Sequence, residues 1–100
     1  MRPIHVASQK GQTSKIKRLI KEGCNVNQAD EDGGTPAYIA AFMGHTAVLA
    51  LLVKAPGCDV NQAMRDGRTP AYVAAQEGQT AALELLVKVC LLYTSDAADE

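Results

Sequence analysis

Apolar residues recur at i, i+3 and i+4 three times along the chain: Ile16, Leu19 and Ile20; Leu49, Leu52 and Val53; Leu83, Leu86 and Val87. That spacing gathers one apolar face on a helix and leaves the opposite face polar. Three amphipathic helices are therefore predicted, with Thr13, Thr46 and Thr80 standing where each N-terminus needs a cap. A shorter apolar helix is predicted before each of them. The best marked runs from Ala71 to about Glu77: Thr69 is placed to cap it, and Pro70 fits its first position, where a missing N–H does no harm. Thr35 and Pro36 repeat the arrangement. Gly11, Gly44 and Gly78 end the short helices by supplying a left-handed residue.

These elements recur because the chain repeats itself. DGRTPAYVAAQEG at Asp66 to Gly78 nearly copies DGGTPAYIAAFMG at Asp32 to Gly44, and fourteen of twenty positions are identical between Thr35 to Lys54 and Thr69 to Lys88. A third, more diverged copy starts at Pro3, which lies 33 residues before Pro36, as Pro36 lies 34 before Pro70. There Ile4, His5, Val6 and Ala7 take the places of Ala37, Tyr38, Ile39 and Ala40. Between the helix pairs, Gly23 to Gly34 and Gly57 to Gly67 carry a valine flanked by Asn or Asp and close on Asp-Gly, which favours a tight turn. A β-turn finger is predicted in each. Periods of this length mean stacked supersecondary units.

Turn, helix, turn, helix, with Thr-Pro opening the first helix and Val-Asn in the finger, resembles the ankyrin repeat family over residues 2–89. The resemblance implies an all-α fold: a solenoid of stacked helix-turn-helix units joined by β-turn fingers, with repeats at about 1–33, 34–67 and 68–89. Members of that family usually carry Leu-His after Thr-Pro, and the histidine helps to hydrogen-bond the turns. Only Ile4 and His5 approximate this; Tyr38 and Tyr72 stand in place of the histidine, a larger ring filling what Ala37 and Ala71 vacate. Pro56 is an insertion that lengthens the second period and is expected to distort one loop. Met1 and Arg2 stand where a fingertip residue and a capping threonine belong, so the natural start is expected upstream. CLLYTSDAADE, residues 90–100, breaks the pattern where a third finger of the type GCDVNQA should begin, and resembles a translated sequencing adaptor. It is expected to extend the last helix no further than Leu91 or Leu92. An array of this size implies further ankyrin repeats in the full-length chain.

The formal charge of −1 becomes 10 − 8 = +2 without that tail, and neither value implies nucleic-acid binding. Six bases (Arg2, Lys10, Lys15, Lys17, Arg18 and Lys21) face one acid through Glu22, which fits the solvated exterior of an end repeat. No apolar run approaches the roughly 20 residues of a membrane span. Cys24 and Cys58 occupy equivalent positions too far apart in a stack for a disulfide, and free thiols suggest a reducing, intracellular compartment, cytoplasmic or nuclear. His5 and His45 have no close Cys or His partner with zinc spacing. Asp30, Glu31, Asp32 and Gly33 resemble the opening of a calcium loop, but the twelfth position is Ala41, which cannot coordinate. No nucleophile is paired with a base and no phosphate-binding glycine loop is present. Neither catalysis nor a cofactor is expected.

In ankyrin arrays the ligand usually lies in the concave groove between the fingers and the first helices. Carried onto this chain, that groove comprises Glu31, Asp32 and Gly34, then Arg65, Asp66 and Arg68, extended by Gln9, Lys10, Phe42, Met43, Gln76 and Glu77. The outer copies place Gln9-Lys10 and Gln76-Glu77 where the middle copy places Phe42-Met43. Two readings of that apolar pair are open: it packs against the neighbouring repeat, or it anchors a partner within a polar rim. The expected function is a protein-protein interaction module with a protein partner. The alternative is a regulatory or targeting segment of a larger enzyme or channel.

Overall fold

Proline inside the first turn and glycine past the last one delimit the short helices, and the resulting elements alternate short and long along the chain. The computed structural model describes the backbone of residues 3–55 and 57–98 and the side chains of 3–55 and 57–89. Its helices are α1 (Pro3–Lys10), α2 (Thr13–Lys21), α3 (Pro36–Met43), α4 (Thr46–Lys54), α5 (Pro70–Gln76) and α6 (Thr80–Ala98), with no strand among the described residues. In α3 the Thr35 hydroxyl accepts from the Tyr38 amide at 3.2 Å, Pro36 sits in the first turn, and Gly44 ends the helix at φ 75°. Thr69 repeats the cap on Tyr72 at 3.1 Å in α5.

The second helix of each pair starts differently from the sequence expectation. Thr13 and Thr46 are the first helical residues, Gln12 and His45 occupy the capping position, and neither caps with its side chain. Thr80 likewise opens α6. In the second and third repeats the side chain before this threonine reaches into the preceding repeat instead. His45 Nε2–H donates to the Gln9 carbonyl at 2.9 Å, and Gln79 Nε2–H donates to the Phe42 carbonyl at 3.1 Å. Gln9 and Phe42 are equivalent residues near the ends of α1 and α3, where helical carbonyls lack intrahelical partners. The capping residue has become a stitch between repeats.

Consecutive repeats stack in two layers. α1, α3 and α5 form an inner row, and α2, α4 and α6 an outer row, each helix also packing on its hairpin partner. Ala7, Ala40 and Ala74 are equivalent and fully buried where the inner helices come together. Ile16, Leu49, Leu52 and Leu86 fill the space beneath the outer row. Val87 departs from the expected buried face: it is 47% exposed while its counterpart Val53 is 8% exposed. Val53 is covered by α6, whereas no described element packs on the far side of α6. α6 also runs past the expected limit at Leu92 to Ala98. No glycine or proline follows Gly78, and Ala97 and Ala98 are strong helix formers, so nothing local stops it.

The fingers are joined side by side. Val26 and Val60 are buried at their bases. Asn27 bridges to the next finger, donating to the Gly57 carbonyl and accepting from the Asp59 amide, both at 2.7 Å. At the tips the Arg65 amide donates to the Asp32 carbonyl at 3.0 Å. Expectations for Met1, Arg2, Pro56 and the tail side chains from Cys90 onward lie outside the described residues. Among the described residues no helix is long and apolar enough to cross a membrane.

Cys24 and Cys58 are half-buried free thiols. Burial, with the Asp59 carboxylate nearby, pushes the Cys58 thiol up from its usual 9.0 to about 11. The folded value thus exceeds the unfolded one, so this contribution to stability is complete below pH 9 and is lost as pH rises through about 11. Urea midpoints taken across that window are expected to fall more steeply in the native protein than in Cys58→Ala. Parallel curves would remove the effect.

Candidate functional site

The tip of the first finger is built on one carboxylate. Asp30 Oδ1 accepts from the Asp32 amide at 2.9 Å and the Gly34 amide at 2.8 Å, while the Asp30 amide donates to the Gly34 carbonyl at 2.9 Å. With the Gly33 amide donating to the Asp30 carbonyl at 3.0 Å, four hydrogen bonds close a turn that leaves Glu31 and Asp32 exposed. Gly33 sits at φ 88°, and a Cβ there would lie 2.8 Å from the Arg65 amide nitrogen. The neighbouring fingertip is in the way, so this position needs glycine twice over.

Gly34 is placed differently from the sequence expectation. It is buried, and its carbonyl also receives His5 Nε2–H at 3.1 Å. It belongs to the frame of the finger and offers no surface to a partner. The first repeat therefore carries the imidazole staple that the family resemblance implies. The second repeat continues it by other means: Tyr38 replaces His5, and its phenol hydrogen-bonds the side chain of Arg68, the residue equivalent to Gly34.

In the second finger Met64 replaces Asp30 and cannot accept. Its amide still donates to the Arg68 carbonyl at 2.9 Å, but the carboxylate is supplied from within the turn by Asp66, whose Oδ1 accepts from the Arg68 amide at 3.1 Å. Asp66 Oδ2 also pairs with Arg68 Nε at 3.0 Å. The Asp66 charge first, and the Tyr38 hydrogen bond second, raise the Arg68 pKa further above its ordinary value. An ion pair this exposed adds little stability because solvent screens it. Its consequence is orientation: the guanidinium is held between Asp66 and Tyr38 with N–H groups still available to a ligand.

Phe42 and Met43 lie at the end of α3 and are 41% and 42% exposed. Both line an open cavity of about 240 Å³ together with Gln9, Asp30, Tyr38 and Ile39. Of the sequence-derived site residues, the cavity wall brings together Phe42, Met43 and Gln9. Glu31, Asp32, Arg65, Asp66 and Arg68 are exposed along the fingertips, and Lys10, Gln76 and Glu77 are exposed at the ends of α1 and α5. Asp30, Tyr38 and Ile39 were not among the expected contact residues. For Tyr38 and Ile39 the signal was the helical spacing: Ile39, Phe42 and Met43 fall at i, i+3 and i+4, and Tyr38 lies four before Phe42, so these share one face; Asp30, in the finger, carried no such signal. Among the described residues no group of three or more His, Cys, Asp or Glu could hold a metal ion.

A family profile for ankyrin repeats in three copies matches residues 3–96. The chain is 33% identical to mouse (Mus musculus) Rabankyrin-5 over 54 residues, which is 54% of this chain and 5% of that protein. It is 44% identical to mouse protein phosphatase 1 regulatory subunit 12A over 50 residues, 50% of this chain and 5% of that protein. An ankyrin repeat-containing protein of Saccharomyces cerevisiae is 39% identical over 44 residues, 44% of this chain and 9% of its own length. The matched segment is thus a small part of each of these relatives.

Proposed function

This chain belongs to the ankyrin repeat family, and from that premise we propose that it is a non-catalytic module holding a partner protein in the groove between fingers and inner helices. The observation that carries the reading is the exposed pair Phe42 and Met43 in the wall of an open cavity. An aromatic ring and a flexible thioether serve as the apolar anchor. Glu31, Asp32, Arg65, Asp66 and Arg68 form the charged rim, with Gln76 and Glu77 continuing it along α5. Asp30 adds a carboxylate to the cavity, so the side chain received there is apolar with an N–H or cationic end. The free thiols of Cys24 and Cys58 suit a reducing compartment, cytoplasmic or nuclear.

A second reading has one observation in its favour. Protein phosphatase 1 regulatory subunit 12A is by name a regulatory subunit, and the matched stretch occupies 5% of it. By analogy the present array is a regulatory or targeting segment of a larger enzyme or channel. The same groove then engages the enzyme or its target.

Selection of a random displayed peptide library against the folded chain tests the groove. Peptides so obtained are expected to bind the F42Q/M43E double variant at least thirtyfold more weakly, about 2 kcal/mol, as loss of an aromatic hot spot does. The replacement pair is the one already present at Gln76 and Glu77. Equal binding by the double variant would remove Phe42 and Met43 from the site.

A further inference from the structure

We propose a second docking surface on the outer layer: an apolar groove between α2 and α4, rimmed by lysines, that receives an apolar side chain presented by an acidic segment of a partner protein. The groove is independent of the Phe42 cavity, since no residue is shared. Ile20, Leu51 and Ala55 supply its apolar surface and Lys17, Lys21 and Lys54 its rim, around a volume of about 270 Å³. Cofactor and drug-sized sites start at roughly 300 Å³ and enclose most of their ligand. An open groove of this size suits one large side chain.

The charged residues that line it are all lysines. α2 (TSKIKRLIK) carries four bases and no acid, and α4 (TAVLALLVK) one base and no acid. The side chains of Lys17, Lys21 and Lys54 make no ion pair or hydrogen bond among the described residues. Helix-end electrostatics account for part of this, because Lys21 and Lys54 lie in the last turns of their helices, where a cation opposes the dipole. They recur for that reason: Lys21, Lys54 and Lys88 are equivalent. Lys17 is not in the last turn, and its counterparts are Ala50 and Glu84, so the repeat does not dictate a base there. Lys17 and Lys21 are moreover one turn apart on the same face, a like-charge pair that destabilises a helix. A partner's carboxylates set one turn apart would reverse the sign of that interaction.

A membrane surface is the weaker occupant. A basic helix that lies on a bilayer inserts its apolar face, whereas the apolar face of α2 is already used: Ile16 is fully buried, and Leu19 and Ile20 pack against the core. The remaining apolar surface is concave, which fits a protruding side chain.

The test uses the full chain and two labelled helical peptides, one with glutamates a turn apart flanking a leucine, the other with glutamine in place of each glutamate. In fluorescence anisotropy the glutamate peptide is expected to bind about tenfold or more tightly than its glutamine match, and to weaken as salt is raised. K17E/K21E is expected to lose this preference while still unfolding cooperatively, its melting point only slightly lower, since both residues are exposed and Lys21→Glu sets an anion at a helix C-terminus. F42Q/M43E is expected to keep it, which separates this surface from the groove proposed above. The proposal fails if the two peptides bind alike, if no salt-sensitive binding is seen, if K17E/K21E binds as the native chain does, or if F42Q/M43E abolishes binding. It fails equally if phosphatidylserine vesicles bind the native chain but not K17E/K21E while the glutamate peptide does not bind at all.

Discussion

Leu52→Ala is expected to cost the fold about 3 to 5 kcal/mol. Leu52 is fully buried in α4, the middle helix of the outer row, where it is enclosed by its own repeat and by α2 and α6. Truncation there leaves a void that rigid neighbouring helices cannot close, so the loss exceeds the transfer energy of the missing atoms. A domain of this length is stable by about 5 to 15 kcal/mol in all, and in a stack each repeat is supported only by its neighbours. Damage to the middle unit therefore weakens both interfaces together. Urea denaturation is expected to report a large drop in midpoint for Leu52→Ala and a much smaller one for Leu51→Ala, whose side chain is only half-buried beside the α2–α4 groove. Comparable losses at the two positions would mean the helix faces are assigned the wrong way round.

Gly33→Ala and Gly67→Ala form the second discriminating pair. Both glycines have left-handed backbone, at φ 88° and 90°, a conformation that costs an L-residue about 1 to 2 kcal/mol. At Gly67 a Cβ meets open space, so that is the whole effect. At Gly33 the Cβ would also stand 2.8 Å from the Arg65 backbone nitrogen and 3.1 Å from Met64 Cα. Backbone cannot swing aside as a side chain does. Gly33→Ala is therefore expected to destabilise by about 2 to 4 kcal/mol and to break the Arg65 to Asp32 hydrogen bond, seen as faster amide exchange at Arg65. Equal losses in the two variants would show that the fingertips do not rely on this contact.

The frame of the molecule was legible wherever a residue type has a single local use. Thr35-Pro36 and Thr69-Pro70 start helices because a hydroxyl and an absent N–H suit nothing else so well, and the i, i+3, i+4 spacing of Leu49, Leu52 and Val53 finds the core directly. The threonines of the second helices were misread by one position, because a threonine in the first turn looks like a cap until the preceding side chain is seen. His45 and Gln79 gave no sequence sign that they cross to the preceding repeat. Gly34 was misassigned for a more general reason. It came with the groove that the family resemblance implies, and its equivalent Arg68 is exposed, yet at Gly34 the frame uses the backbone atoms. Variation between copies measures the freedom of a side chain and says nothing about exposure. Within the groove, Phe42 and Met43 stood out by contrast with their polar counterparts, whereas Asp30, Tyr38 and Ile39 looked like framework and are cavity wall as well.

The status of the Phe42–Met43 pair is best decided by urea denaturation of F42Q/M43E beside the native chain. A surface pair at the mouth of a groove leaves stability nearly unchanged, within about 0.5 kcal/mol, as surface substitutions usually do. That is the expected result, given side chains 41% and 42% exposed. A loss of about 2 kcal/mol or more, in the range of buried large-to-small changes, would make the two residues part of the packing between repeats and leave the groove without its anchor.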